Sequence, residues 1–313
     1  MQKAYLMALY DLAARDKRVL SLLADSGTGY DELFMREFPD QMIDFGIAEE
    51  HMVGAAAGMA CCGKIPFVYT AGAFLAYRSY EFVRNDICLQ NLNVKITGMG
   101  SGLAWSTLGP THHTTEDISV LRALPNLTVF SPACPREVEK AVKAAYETEG
   151  PVYIRIGMNA EPDIYGEDFD FAAGRNVQLR RGEKLALFST GSITSEALKA
   201  VELLWEQGIQ ASLYHVHTIK PFDEESVVEA AKTHNLLVTV EEHNIYGGLG
   251  SIVSEVVAEK ELGVRVKRIG LPDRFAKGYG TIAEVRRQNG LDAESIRQNA
   301  SDFYTSINNG RKM

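Results

Sequence analysis

Short apolar runs of strand length recur along the chain, separated by segments with helical spacing. Residues 4–15 carry apolar side chains at helical intervals. VLSLLAD (19–25) reads as a buried strand that runs into a polar, glycine-containing loop, SGTGYDE, and MIDFG (42–46) as a short strand. AEEHMVGAAAGMACCG (48–63) predicts a helix dense in small residues, IPFVYTAG (65–72) a strand, and FLAYRSYEFVRNDICLQ (74–90) a helix. VKITGMG (94–100) predicts a strand followed by a long loop to Thr115. LTVFSPA (127–133) and VYIRIG (152–157) predict strands on either side of the helix PREVEKAVKAAYE (135–147). Short apolar strands alternating with helices predict an α/β protein with doubly wound, mainly parallel sheets.

Residues 158–183 break this rhythm with Pro162, glycines and acidic residues, the composition of a linker. The alternation then resumes. KLALFST (184–190), ASLYHVHT (211–218), LLVTVEE (236–242) and VRVKRIGL (264–271) predict strands. Helices are expected near 193–207, 223–233, 249–260, 281–288 and 293–306. Two domains follow: residues 1–160 and 184–313, joined by a linker over 161–183.

Composition narrows the functional classes. Of the 313 residues, 46% are hydrophobic and 23% charged, a globular profile. A formal net charge of −9 argues against a nucleic-acid partner, because phosphate binding wants a basic field. No apolar run reaches membrane-spanning length, and charges interrupt the N-terminal segment where a signal peptide needs an apolar core. A cytoplasmic location is therefore expected. Cys61, Cys62, Cys88 and Cys134 form no CxxC pair and no zinc spacing, so they read as small buried side chains.

Four segments carry candidate chemistry. Glu49, in GIAEEHMVGAAAGMA, starts a helix just after a strand, where open parallel sheets gather their ligand sites. A helix-dipole role explains Glu49 equally well when it is taken alone. Phe74, Tyr77 and Tyr80 recur at i, i+3 and i+6 and so share one face of the expected helix, beginning at the same sheet edge. The loop GSGLAWSTLGPTHHTTED (100–117) presents His112 and His113, and loops of this length are commonly functional. VTVEEHNIYGGLGSIVSEVVAE (238–259) places Gly247, Gly248 and Gly250 between a strand and a helix. GGLG is not the dinucleotide fingerprint, so it reads as tight strand-to-helix packing.

Together and in this order, these segments resemble the transketolase family over about residues 19–295, as its pyrimidine-binding and C-terminal domains. GIAEEHM is similar to the family's catalytic-glutamate motif and maps that role onto Glu49. GAFLAYRSY resembles the aromatic segment around the cofactor's aminopyrimidine, giving Phe74, Tyr77 and Tyr80. LLADSG resembles the Ala-Asp loop near the thiazolium, giving Asp25. GPTHH resembles the substrate-histidine motif, giving His112 with His113 beside it. Arg155 is expected near the substrate. EEHNIYGGLGS and RIGLPDRFAKGYG resemble C-terminal-domain signatures. The resemblance implies thiamine diphosphate as cofactor, Glu49 bonded to N1′ of its aminopyrimidine, and transfer of a two-carbon ketol unit from a ketose to an aldose.

The resemblance also implies a missing half. Family members hold the diphosphate and a divalent metal (Mg2+, or Ca2+ or Mn2+) with a GDG motif and a downstream Asn, and this sequence has no GDG. Those groups are expected on a partner chain, an N-terminal transketolase subunit, in a heterotetramer of two chains of each kind. Leu108 stands where an acidic residue is usual, Met158 where an arginine is, and Gly100 where a second histidine is. An altered substrate, with a modified or non-phosphate end, is one consequence. Rival readings are a deoxyxylulose-phosphate-synthase-like decarboxylative condensation, whose IAEQH is close to IAEEH, a 2-oxoacid dehydrogenase β subunit, and a non-catalytic homologue.

Overall fold

In the computed structural model, which describes residues 1–26, 31–158, 161–166 and 169–310, the apolar runs form two mainly parallel sheets. The first contains β1 (Val19–Leu23), β2 (Met42–Asp44), β3 (Ile65–Ala71), β4 (Lys95–Met99), β5 (Thr128–Phe130) and β6 (Val152–Ile156). The second contains β7 (Val177–Arg180), β8 (Leu185–Thr190), β9 (Ala211–His215), β11 (Leu236–Asn244) and β12 (Arg265–Leu271). A further strand, β10 (Thr218–Lys220), leaves its own half and pairs antiparallel with β5. The orders are β10-β5-β6-β4-β3-β1-β2 and β12-β11-β8-β9-β7. β1, β3, β4, β6 and β8 are buried at every position, as strands covered on both faces by helices must be.

Three expectations change. The run 211–218 is not one strand, because Val216 and His217 carry the chain from the second sheet to the first. The 161–183 stretch ends in β7, which pairs antiparallel with β9 as an edge of the second sheet. Residues 74–90 do not form a regular helix. Phe74–Arg78 and Val83–Cys88 are wide π-type turns flanking a short turn at Tyr80–Phe82. In such turns residues three apart no longer stack on one face.

The helix Glu49–Cys61 packs its small side chains on β3 and the 74–88 stretch; a Cβ at Gly54 would meet the Phe82 ring at 3.7 Å. One apolar cluster joins Leu22, Val68 and Ile96 of the first half to Phe188, Leu237 and Leu249 of the second. Polar contacts reinforce that seam. Arg155 on β6 donates to the Glu242 carbonyl on β11 at 3.0 Å. Glu137 accepts from Tyr165 Oη and bonds His215 Nε2 at 2.9 Å.

Candidate active site

The C-terminal ends of β1, β3, β4 and β6 open onto a cavity of about 430 Å³. Its walls include Asp25, Glu49, Phe74, Trp105, His112 and Met158. Each is placed by its element. Asp25 follows β1 with φ +47, a left-handed conformation that Asp tolerates better than most residues. Glu49 begins its helix and is only 2% exposed, so its carboxylate points into the protein. Arg78 Nη1 donates to Glu49 Oε2 at 2.7 Å, and its guanidinium lies 4.7 Å from the Phe74 ring centroid. His112 meets the edge of the Phe74 ring at 5.2 Å between centroids, and Thr111 Oγ1 holds its Nδ1 at 2.9 Å.

The structure divides the expected site residues. Asp25, Glu49, Phe74 and His112 line one cavity. Tyr77 and His113 line a neighbouring one of about 440 Å³, which shares Phe74, together with Arg78, Glu116 and Phe275. Tyr77 Oη donates to Glu116 Oε2 and accepts from the Glu116 amide, both at 2.9 Å, which ties the 74–88 stretch to the end of the long loop. Burial lowers the His113 pKa, so its imidazole is held neutral; neither ring nitrogen has a hydrogen-bond partner among the described residues. Tyr80 packs against the apolar core and bonds the Val120 carbonyl, outside both cavities. The aromatic face expected from helical spacing is thus split by the wide turns.

Arg155, expected near the substrate, is enclosed by contacts within the protein. It is 1% exposed, bonds Asp117, and donates to the carbonyls of Thr114 and Glu242. An arginine so enclosed fastens the long loop to both sheets. The loop is also wedged between the halves. Leu103 enters the core of the second sheet, and the Ser106 carbonyl accepts from the Gly280 amide.

Residues that sequence reasoning missed include Trp105, Gln2 and Ile47, which complete the cavity wall, and Arg78. Gly100 has φ +81, and a Cβ there would collide with Trp105 Nε1. The indole therefore occupies the space that a side chain at position 100 would need. Leu108 and Met158 stand on the same wall, so the positions singled out as departures do meet in space. No Lys or Arg is among the cavity's described lining residues.

The glycine loop 247–250 serves the fold. Glu241, fully buried, accepts from the amides of Leu249 and Gly250 at 2.7 and 2.9 Å. A Cβ at Gly248 would collide with Glu241 Oε2. The helix N-terminus, a ready anion site, is thus filled by the chain's own carboxylate. Among the described residues no cluster of His, Cys, Asp or Glu could hold a metal ion, and no helix is long and apolar enough to cross a membrane.

The molecule is thus two α/β units with a buried glutamate and an aromatic ring on one cavity at the strand ends of the first. Residues 1–160 match the transketolase pyrimidine-binding domain and residues 174–296 the transketolase C-terminal domain. The chain belongs to the transketolase family. It is 40% identical over 263 residues to one subunit of the apulose-4-phosphate transketolase of Actinobacillus succinogenes, covering 84% of this chain and 85% of that one. It is 38% identical to 1-deoxy-D-xylulose-5-phosphate synthase of Oleidesulfovibrio alaskensis, over 93% of this chain but 46% of that enzyme. A solved structure described as a split-gene transketolase, inactive beta4 tetramer, superposes with a TM-score of 0.89 at 36% identity, covering 97% of this chain and 98% of that one.

Proposed function

We propose that this chain is the C-terminal subunit of a split, thiamine-diphosphate-dependent transketolase, with Glu49, Phe74, Asp25 and His112 as its contribution to the active site. The observation that carries the reading is the convergence of the buried Glu49 carboxylate, the Phe74 ring and His112 on one cavity at the strand ends. The match to most of the length of a transketolase subunit favours a subunit over a single-chain synthase, of which this chain spans less than half.

The residues fit the group. A flat guanidinium already stacks on Phe74 while bonding Glu49, so there is room for a planar donor at that place. Bound there, thiamine diphosphate supplies a carbon nucleophile at its thiazolium C2. Glu49 holds the proton at N1′ of the aminopyrimidine, and Phe74 orients that ring by stacking. Asp25, on the same cavity wall, would be available to the group's reacting end. His112 donates to, or accepts from, a substrate oxygen as bonds to carbon are made and broken. Trp105, Leu108 and Met158 shape the wall against the sugar. The cofactor's diphosphate and its Mg2+ belong to a GDG-bearing partner in a cytoplasmic heterotetramer. The substrate is a ketose, phosphorylated or modified at its far end.

The test is reconstitution. Alone, with magnesium, the chain should bind thiamine diphosphate weakly and transfer no ketol unit. Isothermal titration at micromolar or tighter affinity without a partner would contradict a split site. Release of CO2 from pyruvate by the two-chain complex, with no ketose–aldose transfer, would favour the synthase-like reaction instead.

A further inference from the structure

A buried carboxylate without a partner is costly, and Glu49 has one that the reaction does not call for. Arg78 bonds it at 2.7 Å and lies over the Phe74 ring at 4.7 Å. A flat cation with N–H donors therefore makes, at the same time, the two contacts that the proposed function assigns to the aminopyrimidine: stacking on Phe74 and donation to Glu49. Ring and guanidinium compete for one place.

We infer that Arg78 is a positioning residue that stands in for the cofactor ring while the site is empty, keeping Glu49 paired and aimed, and swings aside when the ring binds. Its surroundings allow the movement. The Arg78 side chain is 42% exposed, so it can leave without opening the core. It also lines the neighbouring cavity of about 440 Å³, which contains the Glu116 carboxylate. That acid can receive the displaced guanidinium. Arg78 ends the wide turn that Phe74 begins, and the helical stretch is interrupted at Ser79 directly after it. Local backbone breaks of this kind commonly accompany functional sites.

The consequence is a measurable cost in cofactor affinity. Molecules in which Arg78 holds the place cannot accept the ring, so apparent affinity falls by the fraction of molecules in the open arrangement. The inference rests on the assignment of Glu49 and Phe74 to the cofactor ring, and the experiment separates the two claims. The complex of this chain with its GDG-bearing partner is titrated calorimetrically with thiamine diphosphate and magnesium, as wild type, Arg78→Gln, Arg78→Lys and Glu49→Gln, and as Arg78→Gln with Glu49→Gln.

Arg78→Gln should tighten cofactor binding about three- to tenfold, since the competitor is gone. Arg78→Lys, which keeps the charge but loses the flat fork, should tighten it less. In the Glu49→Gln background the Arg78 change should tighten binding less, because only the contact with Phe74 and a neutral hydrogen bond still hold the guanidinium in place. A merely structural lesion weakens binding, so tightening is the diagnostic sign. Unchanged or weaker binding in Arg78→Gln overturns the inference, and if that variant does not assemble, Arg78→Lys decides by the same sign. Near-normal turnover and cofactor affinity in Glu49→Gln alone would instead remove the ring-site assignment, whatever Arg78 does.

Discussion

At the scale of single residues, two roles separate cleanly by substitution. Glu49→Gln keeps the size and burial of the side chain but removes the carboxyl proposed to hold a proton at N1′ of the cofactor, so turnover of the reconstituted complex should fall on the order of 10²- to 10⁴-fold. Unchanged circular dichroism would exclude misfolding. A role confined to the helix dipole predicts instead a stability loss of only about 0.3–1 kcal/mol with near-normal activity. The two adjacent histidines differ in setting: His112 faces the Glu49 cavity, while His113 is buried against the neighbouring one. His112→Ala should cost roughly 2–4 kcal/mol in kcat/KM, about two to three powers of ten, with little change in cofactor affinity. His113→Ala should act mainly on stability, by emptying a packed position. Parallel steady-state kinetics and thermal melts distinguish them; a kinetic loss confined to the His113 variant would reverse the assignment.

At the scale of elements, the strand-to-helix joint at 241–250 shows how a glycine motif follows from a buried charge. Burial pushes the Glu241 carboxyl up to about 7, against the opposing pull of the Gly250 and Leu249 amides. A carboxyl whose pKa is raised on folding contributes stability that is full below its unfolded value, about 4.5, and is lost as pH rises through about 7. Wild type should therefore gain stability relative to Glu241→Gln as pH falls from 7 to 4.5. The gain is at most about 3 kcal/mol, from 1.36 kcal/mol per pKa unit. Denaturant titrations at several pH values check the sign, and a difference that grows with rising pH would show that the amide cradle outweighs burial. The 74–88 stretch makes a second point: its wide turns leave Phe74 on the Glu49 cavity, Tyr77 bonded to Glu116 and Tyr80 bonded to the Val120 carbonyl. Spacing in sequence located this element without giving its pitch.

At the scale of the whole molecule, the two sheets are one mechanical unit. β10 is exchanged from the second half into the first sheet, one apolar cluster spans both, and Arg155 bonds groups on the long loop and on β11. Unfolding should accordingly be a single cooperative transition by calorimetry, and two resolved peaks would contradict a shared core. Arg155→Ala leaves Asp117 buried without its ion-pair partner and should cost about 3–5 kcal/mol. Because Arg155 also holds the Thr114 carbonyl, the same variant should loosen the loop that presents His112.

The sequence by itself determined the α/β class and most strand positions, because burial on both faces leaves a continuous apolar run, and the family resemblance singled out Asp25, Glu49, Phe74 and His112, which line one cavity at the strand ends. Tertiary structure alone decided which neighbours those residues have. Arg155 reads as a residue near the substrate, and only the fold shows Asp117, 38 positions away, paired with it. Trp105 reads as a loop residue until the bare backbone at Gly100 is seen to receive its indole. Arg78 reads as one more helix charge until the wide turn lays it across Phe74 and onto Glu49. Periodicity records which face of an element is buried; what lies against that face depends on contacts between distant segments, which no local pattern encodes.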